Sequence, residues 1–372
     1  MPVTARRMSV KRQMLKSGNF SPGGSFPDSG ERAYAYAKAC GIIGKSFLGK
    51  KVSALRDIRS PGELDQLLFS ETRRSSERHE RAGKELLPEL EKRIEKRAVD
   101  HILSIVNSFS NPPDLFIRQL RVYEYSDLKA CLHHIAGNIA VLPSLSNIGR
   151  FRTIQFEAFP DLAAMLQGTE FQFILSKDLK ALQPDSSAFA LIETELDACY
   201  YLGLAESLRQ LSHDDHAAAQ QILATEISLR NCNWALRLRS YFRKTAAETR
   251  GYLMNINMSN PAKNLASDAL ESLDLPLDSR APWQGWKWKK FLNPEKPGEY
   301  WSVNPRYFQN AASQYLHRLA WRCFHGMPMA ISTIFSYIKL KQFEEDILTS
   351  VAEGLSMGMS SADVFDLLEA QV

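Results

Sequence analysis

The sequence predicts an all-α protein, on three observations. Apolar residues recur at the three-and-four spacing of helices, and no convincing run of alternating apolar residues marks a strand. Helix starts and stops are written in capping residues, prolines and glycines. The third observation is a recurrence. Tyr123 to Leu132, Glu226 to Arg239 and Tyr337 to Ile347 share a helix-ending pattern, in which a polar anchor follows an amphipathic stretch and precedes an apolar residue. Taking Asp127, Asn231 and Asp346 as anchors, the spacings are 104 and 115 residues. One helical unit used three times points to a scaffold more than to a single catalytic cleft.

The first helix is predicted from Tyr34, because Tyr36, Cys40, Ile43 and Phe47 fall on one apolar stripe. Ser60-Pro61-Gly62-Glu63 then supplies a capping hydroxyl, a proline at the first helical position and a capping-box carboxylate ahead of Leu64, Leu67 and Leu68. After Pro88 a long helix buries Leu90, Ile94, Ala98, Ile102, Ile105 and Phe109, with Glu89 to Arg97 as its solvated charged face, and Asn111-Pro112-Pro113 stops it. Beyond Gly137, a helix carries Ile192, Leu196, Cys199 and Gly203, and another runs from about Asp214 to Arg243. A tryptophan-rich stretch, Trp283 to Trp288, precedes helices around Tyr315, Ile334 and Ile347, and Ser360 to Asp363 caps the last. This order divides the chain into a basic disordered tail and linker over 1–30 and helical domains over 31–137, 138–250 and 251–372.

At 372 residues the chain exceeds the usual size of one core, so two or three subdomains are expected. Five scattered cysteines read as free thiols in a reducing compartment. Apolar runs fall far short of the ~20 residues that cross a bilayer, so membrane association would be peripheral. Net charge is only +4, but Arg6, Arg7, Lys11, Arg12 and Lys16 precede the first acid, Asp28. That opening fits a solvated tail on a breaker-rich linker, with a mitochondrial transit peptide or a contact with anionic lipid as alternatives.

Several constellations suggest chemistry. Ala39 to Ser46, with Gly44-Lys45-Ser46, fits the loose form of a phosphate-binding loop and so of a nucleotide hydrolase, yet the helical periodicity around it lacks the strand such a loop must leave. His213 and His216 are spaced as metal ligands, while Ser212 and Asp215 read as a capping box. His133 and His134 point in different directions and share no metal easily. Trp283, Trp286, Trp288 and Trp301 among Lys287, Lys289 and Lys290 could stack bases or sugars, or fill space between helices. No catalytic centre assembles, and no cofactor or metal is called for. Glu226, Arg230, Asn233 and Arg237, at steps of four, three and four, form one polar stripe that is either solvated surface or an inner wall meeting a partner.

The ordered set of motifs resembles a known family, the C-type (or d-type) central-stalk subunits of rotary V-type and archaeal-type (V/A) ATPases. The resemblance is carried by Asp127-Leu128-Lys129 within Tyr123 to Leu132, by Glu226-Ile-Ser-Leu-Arg-Asn231 leading into Trp234 to Tyr241, and by Gly326-Met-Pro-Met329 followed by Tyr337 to Glu344. It spans about Tyr34 to Leu368. Ser228 stands where the family often has Asp, and the tail and the tryptophan-rich stretch are unlike typical members. The resemblance implies three similar helical domains in a pseudo-threefold funnel with a central cavity, without an active site. It also implies rotary-ATPase shaft subunits and the membrane rotor ring as partners, no nucleic acid, and a cytoplasmic place, peripheral on the inner face of the membrane. On this reading the protein transmits the torque that couples ATP hydrolysis or synthesis to H+ or Na+ transport, with Glu226, Arg230, Asn233 and Arg237 as the candidate shaft-contact face. A generic helical adaptor is the alternative.

Overall fold

A computed structural model describes residues 28–69, 83–179, 182–183, 186–257 and 264–369. The proposed tail, up to residue 27, lies outside the described residues. Those described fold into helices without a strand. The longer ones are α1 (Ser29–Ile43), α2 (Pro61–Phe69), α3 (Gly83–Val106), α4 (Asp114–Leu120), α5 (Val122–Ala136), α6 (Ser187–Leu208), α7 (His213–Ser240), α8 (Pro305–Gly326), α9 (Ile331–Ser356) and α10 (Ser361–Glu369).

Local chemistry sets these elements. Ser60 accepts the Glu63 N–H at 3.2 Å at the start of α2, and the Glu63 carboxylate returns to the Arg59 N–H at 2.9 Å, one residue earlier than a standard capping box. Asn304 caps α8 through the Arg306 and Tyr307 N–H groups, with Pro305 at the first helical position. Ser360 and Asp363 exchange hydrogen bonds at the head of α10. The α3 stripe from Leu90 to Phe109 is buried as its spacing predicts.

Seven of these helices form three hairpins in sequence order: α3 with α4–α5, α6 with α7, and α8 with α9. Their neighbours in space run α3–α9–α8–α7–α6–α4, and the order closes where α4 packs on α9, Gln119 donating to the Phe335 carbonyl at 3.0 Å. Gly203 on α6 lets the Arg118 guanidinium of α4 lie against the helix; a Cβ there would collide with it. One apolar core runs from Ala35 through Leu340, and a second gathers Leu229 and Leu236 with the tryptophan-rich segment. A third joins the two ends of the chain, Leu55, Leu64, Leu90 and Ile94 meeting Leu348, Val351, Val364 and Phe365.

Some expectations need correction. The buried stripe of α1 is Ala35, Ala39 and Ile43, with Tyr36 and Cys40 on its flank, because small residues let the helix lie close to its neighbours. Arg93 and Arg97 leave the charged face of α3 for buried acids, Arg93 pairing with Asp65 and Arg97 lying 3.5 Å from Glu344. Ser212 and Asp215 do not form a capping box. The Ser212 hydroxyl donates to Asp215 at 3.0 Å, and the other carboxylate oxygen accepts the Ser332 N–H at 3.2 Å, so Asp215 caps the distant helix α9. None of the three anchors ends a helix; Asp127, Asn231 and Asp346 all lie inside one.

Candidate functional site: a polar hollow between three hairpins

Glu226, Arg230, Asn233 and Arg237 all line one hollow of about 650 Å³. Helical spacing puts them on a single face of α7, and neighbouring hairpin helices add lining residues of their own. On α6 it is Ala190, Glu193, Thr194 and Asp197, and on α8 it is Gln309, Ala312, Ser313 and Leu316, both at i, i+3, i+4 and i+7. Val122, Ser126 and Lys129 come from α5, Lys339, Phe343 and Asp346 from α9, and Glu95 from α3.

The three stripes on α5, α7 and α9 share a register. Val122, Glu226 and Lys339 correspond, as do Ser126, Arg230 and Phe343, and Lys129, Asn233 and Asp346, at constant offsets of 104 and 113 residues. In this register the partner of Asp127 and Asn231 is Glu344, not Asp346. Each helix also buries a polar pair at i and i+3: Glu124 with Asp127, Ser228 with Asn231, Lys341 with Glu344. Each pair fastens a distant loop. Asp127 accepts the Ser146 N–H at 3.0 Å, Asn231 accepts the Met254 N–H at 2.8 Å, and Glu344 accepts the Phe47 N–H at 2.7 Å. The third loop is thus borrowed from the beginning of the chain. Past each helix comes a residue with positive φ, Asn138 at 54°, Arg243 at 51° and Gly358 at 82°.

Six carboxylates and four cations line the hollow, and many are paired with one another. Glu226 accepts the Tyr201 hydroxyl at 2.8 Å and meets the Lys339 ammonium at 2.8 Å, joining α7 to α6 and α9. Lys129 pairs with Asp197 at 2.6 Å, Tyr123 donates to Glu345 at 2.6 Å, and Arg237 donates to Gln309 at 3.3 Å. Arg230 lies 5.5 Å over the Tyr201 ring. Arg230 and Asp346 are solvent-exposed although protein surrounds them, the condition of side chains standing in a recess. Asn233 Oδ1 and Gln342 Nε2 are buried at the wall without a hydrogen-bond partner among the described residues.

Burial governs the carboxyls. It pushes Glu345 up to about 8 against the Tyr123 hydrogen bond, and Asp346 up to about 6 against Arg230 and Lys339. At Glu226 burial acts in the same direction, but Lys339 and Arg230 outweigh it and hold the group below its ordinary value. The raised pair gives a signed prediction. Between an ordinary carboxylate value near ~4 and the folded values, the native state keeps protons that the unfolded chain has released, so these two groups lower stability as pH rises. The double variant Glu345→Gln, Asp346→Asn should therefore be more stable than the parent at about pH 8.5 and converge on it near about pH 4. Urea midpoints at both pH values check this; an equal difference at both would contradict it.

Other candidate chemistry dissolves in the fold. Ala39 to Ile43 are the last turns of α1, Gly44 and Lys45 follow in a turn whose N–H groups bond back to Cys40 and Ile42, and the Ser46 hydroxyl donates to the Ile43 carbonyl at 2.7 Å. A phosphate loop needs those N–H groups free at the start of a helix, so the nucleotide-hydrolase reading is withdrawn. The proposed metal-spaced pair includes His213, whose side chain is outside the described set; among the described residues no group of three or more His, Cys, Asp or Glu could hold a metal. His133 meets Glu193 at 3.2 Å and His134 meets the Val141 carbonyl at 2.6 Å. The rings of Trp283, Trp286, Trp288 and Trp301 are core, their indole N–H groups bonded to Pro276, Asp268 and Asn293, which leaves no ring to stack a base. Sequence reasoning misses Lys339, Asp346, Lys129 and Asp197 as lining residues. Stepping the stripe by the anchor spacings read from the sequence finds Lys129, at 104 residues before Asn233, but the spacing of 115 overshoots Lys339 and Asp346, which lie at the offset of 113.

An all-helical chain whose hairpin helices line a polar recess falls in a class of ATP synthase subunits. In particular, the chain belongs to the ATP synthase (C/AC39) subunit family, which matches residues 50–365. It is therefore a subunit of a V/A-type ATP synthase complex. It is also similar to an uncharacterized protein of Treponema pallidum (strain Nichols), 26% identical over 332 residues that cover 87% of this chain and 92% of the relative. No described helix is long and apolar enough to cross a membrane.

Proposed function

We propose that this protein is the coupling piece of the central stalk, seated on the membrane rotor ring at the inner face of the membrane and receiving the end of the rotating shaft in its hollow. The observation that carries this reading is the common register in which α5, α7 and α9 present equivalent positions to one recess. Three units, 31–137, 138–250 and 251–372, then form a pseudo-threefold funnel, with the start of the chain completing the third. Torque passes through such a part only if it is stiff. The buried polar pairs that fasten loops, the Glu226–Lys339 bridge and the close-packed cores supply that stiffness. Because many wall charges are already paired, the shaft is gripped chiefly by shape, with Arg230, Asn233 and Arg237 adding polar contacts.

The test is co-purification. A tagged copy of the full chain, recovered from native membranes in mild detergent, should bring down the shaft and ring subunits, and the isolated chain should hydrolyse no ATP. Recovery free of every rotary-ATPase component would favour a generic helical adaptor instead.

A further inference from the structure

The tryptophan-rich segment carries a second recess, unconnected with the hollow. Two short turns, Ala281–Gly285 and Lys289–Phe291, rest on Trp283 and Trp286, each 1% exposed, with ring centroids 5.0 Å apart. Their indole N–H groups donate to the Pro276 and Asp268 carbonyls at 2.7 and 2.8 Å, so the floor is fixed. Above it opens a cleft of about 170 Å³ lined by Arg280, Trp283, Gln284, Lys289, Lys290 and Leu292.

Three of those six residues are cations and none is an acid. Lys289 donates to the Gln284 carbonyl at 2.5 Å, whereas the side chains of Arg280 and Lys290 have no hydrogen-bond or ion-pair partner among the described residues. Lys287, in the same segment but not lining the cleft, is treated differently: it meets Asp268 at 2.7 Å and lies 4.5 Å over the Trp288 ring. Like charges gathered on a rigid concave surface repel until an anion joins them. A planar guanidinium that can bind two oxygens, flanked by two ammonium point charges, suits the oxygens of a phosphate.

We infer that this cleft binds a phosphate group, carried by a free phosphate or by the headgroup of an anionic phospholipid. The full chain is titrated with inorganic phosphate by calorimetry and, separately, sedimented with phosphatidylcholine vesicles that contain or lack phosphatidylglycerol. The triple variant Arg280→Gln, Lys289→Gln, Lys290→Gln should weaken binding about tenfold or more. A control of equal charge, Lys45→Gln, Lys51→Gln, Lys92→Gln, should leave it unchanged. Loss in the calorimetric arm identifies a free phosphate, and loss in the vesicle arm identifies a headgroup; either supports the site. Absence of binding in both arms by the parent chain, or equal loss in the control, would overturn it. Neither outcome bears on the shaft reading, since the cleft and the hollow share no residue.

Discussion

Replacing Glu344 with alanine should destabilise the protein by about 3–5 kcal/mol, the cost of breaking a buried ion pair from one side. Glu344 and Lys341 are both nearly inaccessible, at 2% and 1% side-chain exposure, and are directly paired. The Glu344 carboxylate also faces the Arg97 guanidinium at 3.5 Å and accepts the Phe47 N–H at 2.7 Å. Burial raises the carboxyl, but Lys341 and Arg97 overcome it and hold Glu344 below its ordinary value. Removing the carboxylate therefore strands an ammonium, a guanidinium and a backbone donor at once. Lys341 is already pulled down by burial and would fall further. Urea unfolding measures the loss, and a decrease under about 1 kcal/mol would show that the cluster is not the clasp described here. Adding Lys341→Met to Glu344→Leu should recover part of the loss, because an apolar pair leaves no stranded charge between them.

That clasp also shows where sequence reading stops short. Helices α3 and α6 are legible because their apolar stripes are long and regular, and the stripe from Glu226 to Arg237 is legible because four polar residues keep one face of α7. The third anchor is displaced by two residues. Glu344-Glu345-Asp346 offers three acids in a row, and polarity cannot tell which of them is buried; Asp346 faces the hollow while Glu344 fastens a loop. The loop it fastens lies 297 residues away, at Phe47, so no local pattern announces the partnership. Asp215 reads as the acid of a capping box for a similar reason. Its helix start is local and visible, but the N-terminus of α9 that it caps is not. The phosphate-loop match fails on backbone context, since Gly44, Lys45 and Ser46 follow a helix where the motif must begin one. The tryptophans are legible as space fillers, though not the cleft they support.

The measurement that bears most directly on the coupling role is shaft binding by a chain whose hollow has been filled. Ser126 is exposed, lines the recess from α5 and holds the position equivalent to Arg230 and Phe343, so an indole there occupies the hollow without disturbing a core. The comparison is Ser126→Trp against the parent chain and Lys92→Trp, which places the same indole on exposed surface outside the hollow. With unfolding midpoints equal, Ser126→Trp should lower affinity for the purified shaft subunit about 100-fold or more, as expected when a central contact is blocked, and Lys92→Trp should leave it unchanged. Undiminished shaft binding by a folded Ser126→Trp protein would mean that the shaft does not enter the hollow, and would contradict the account.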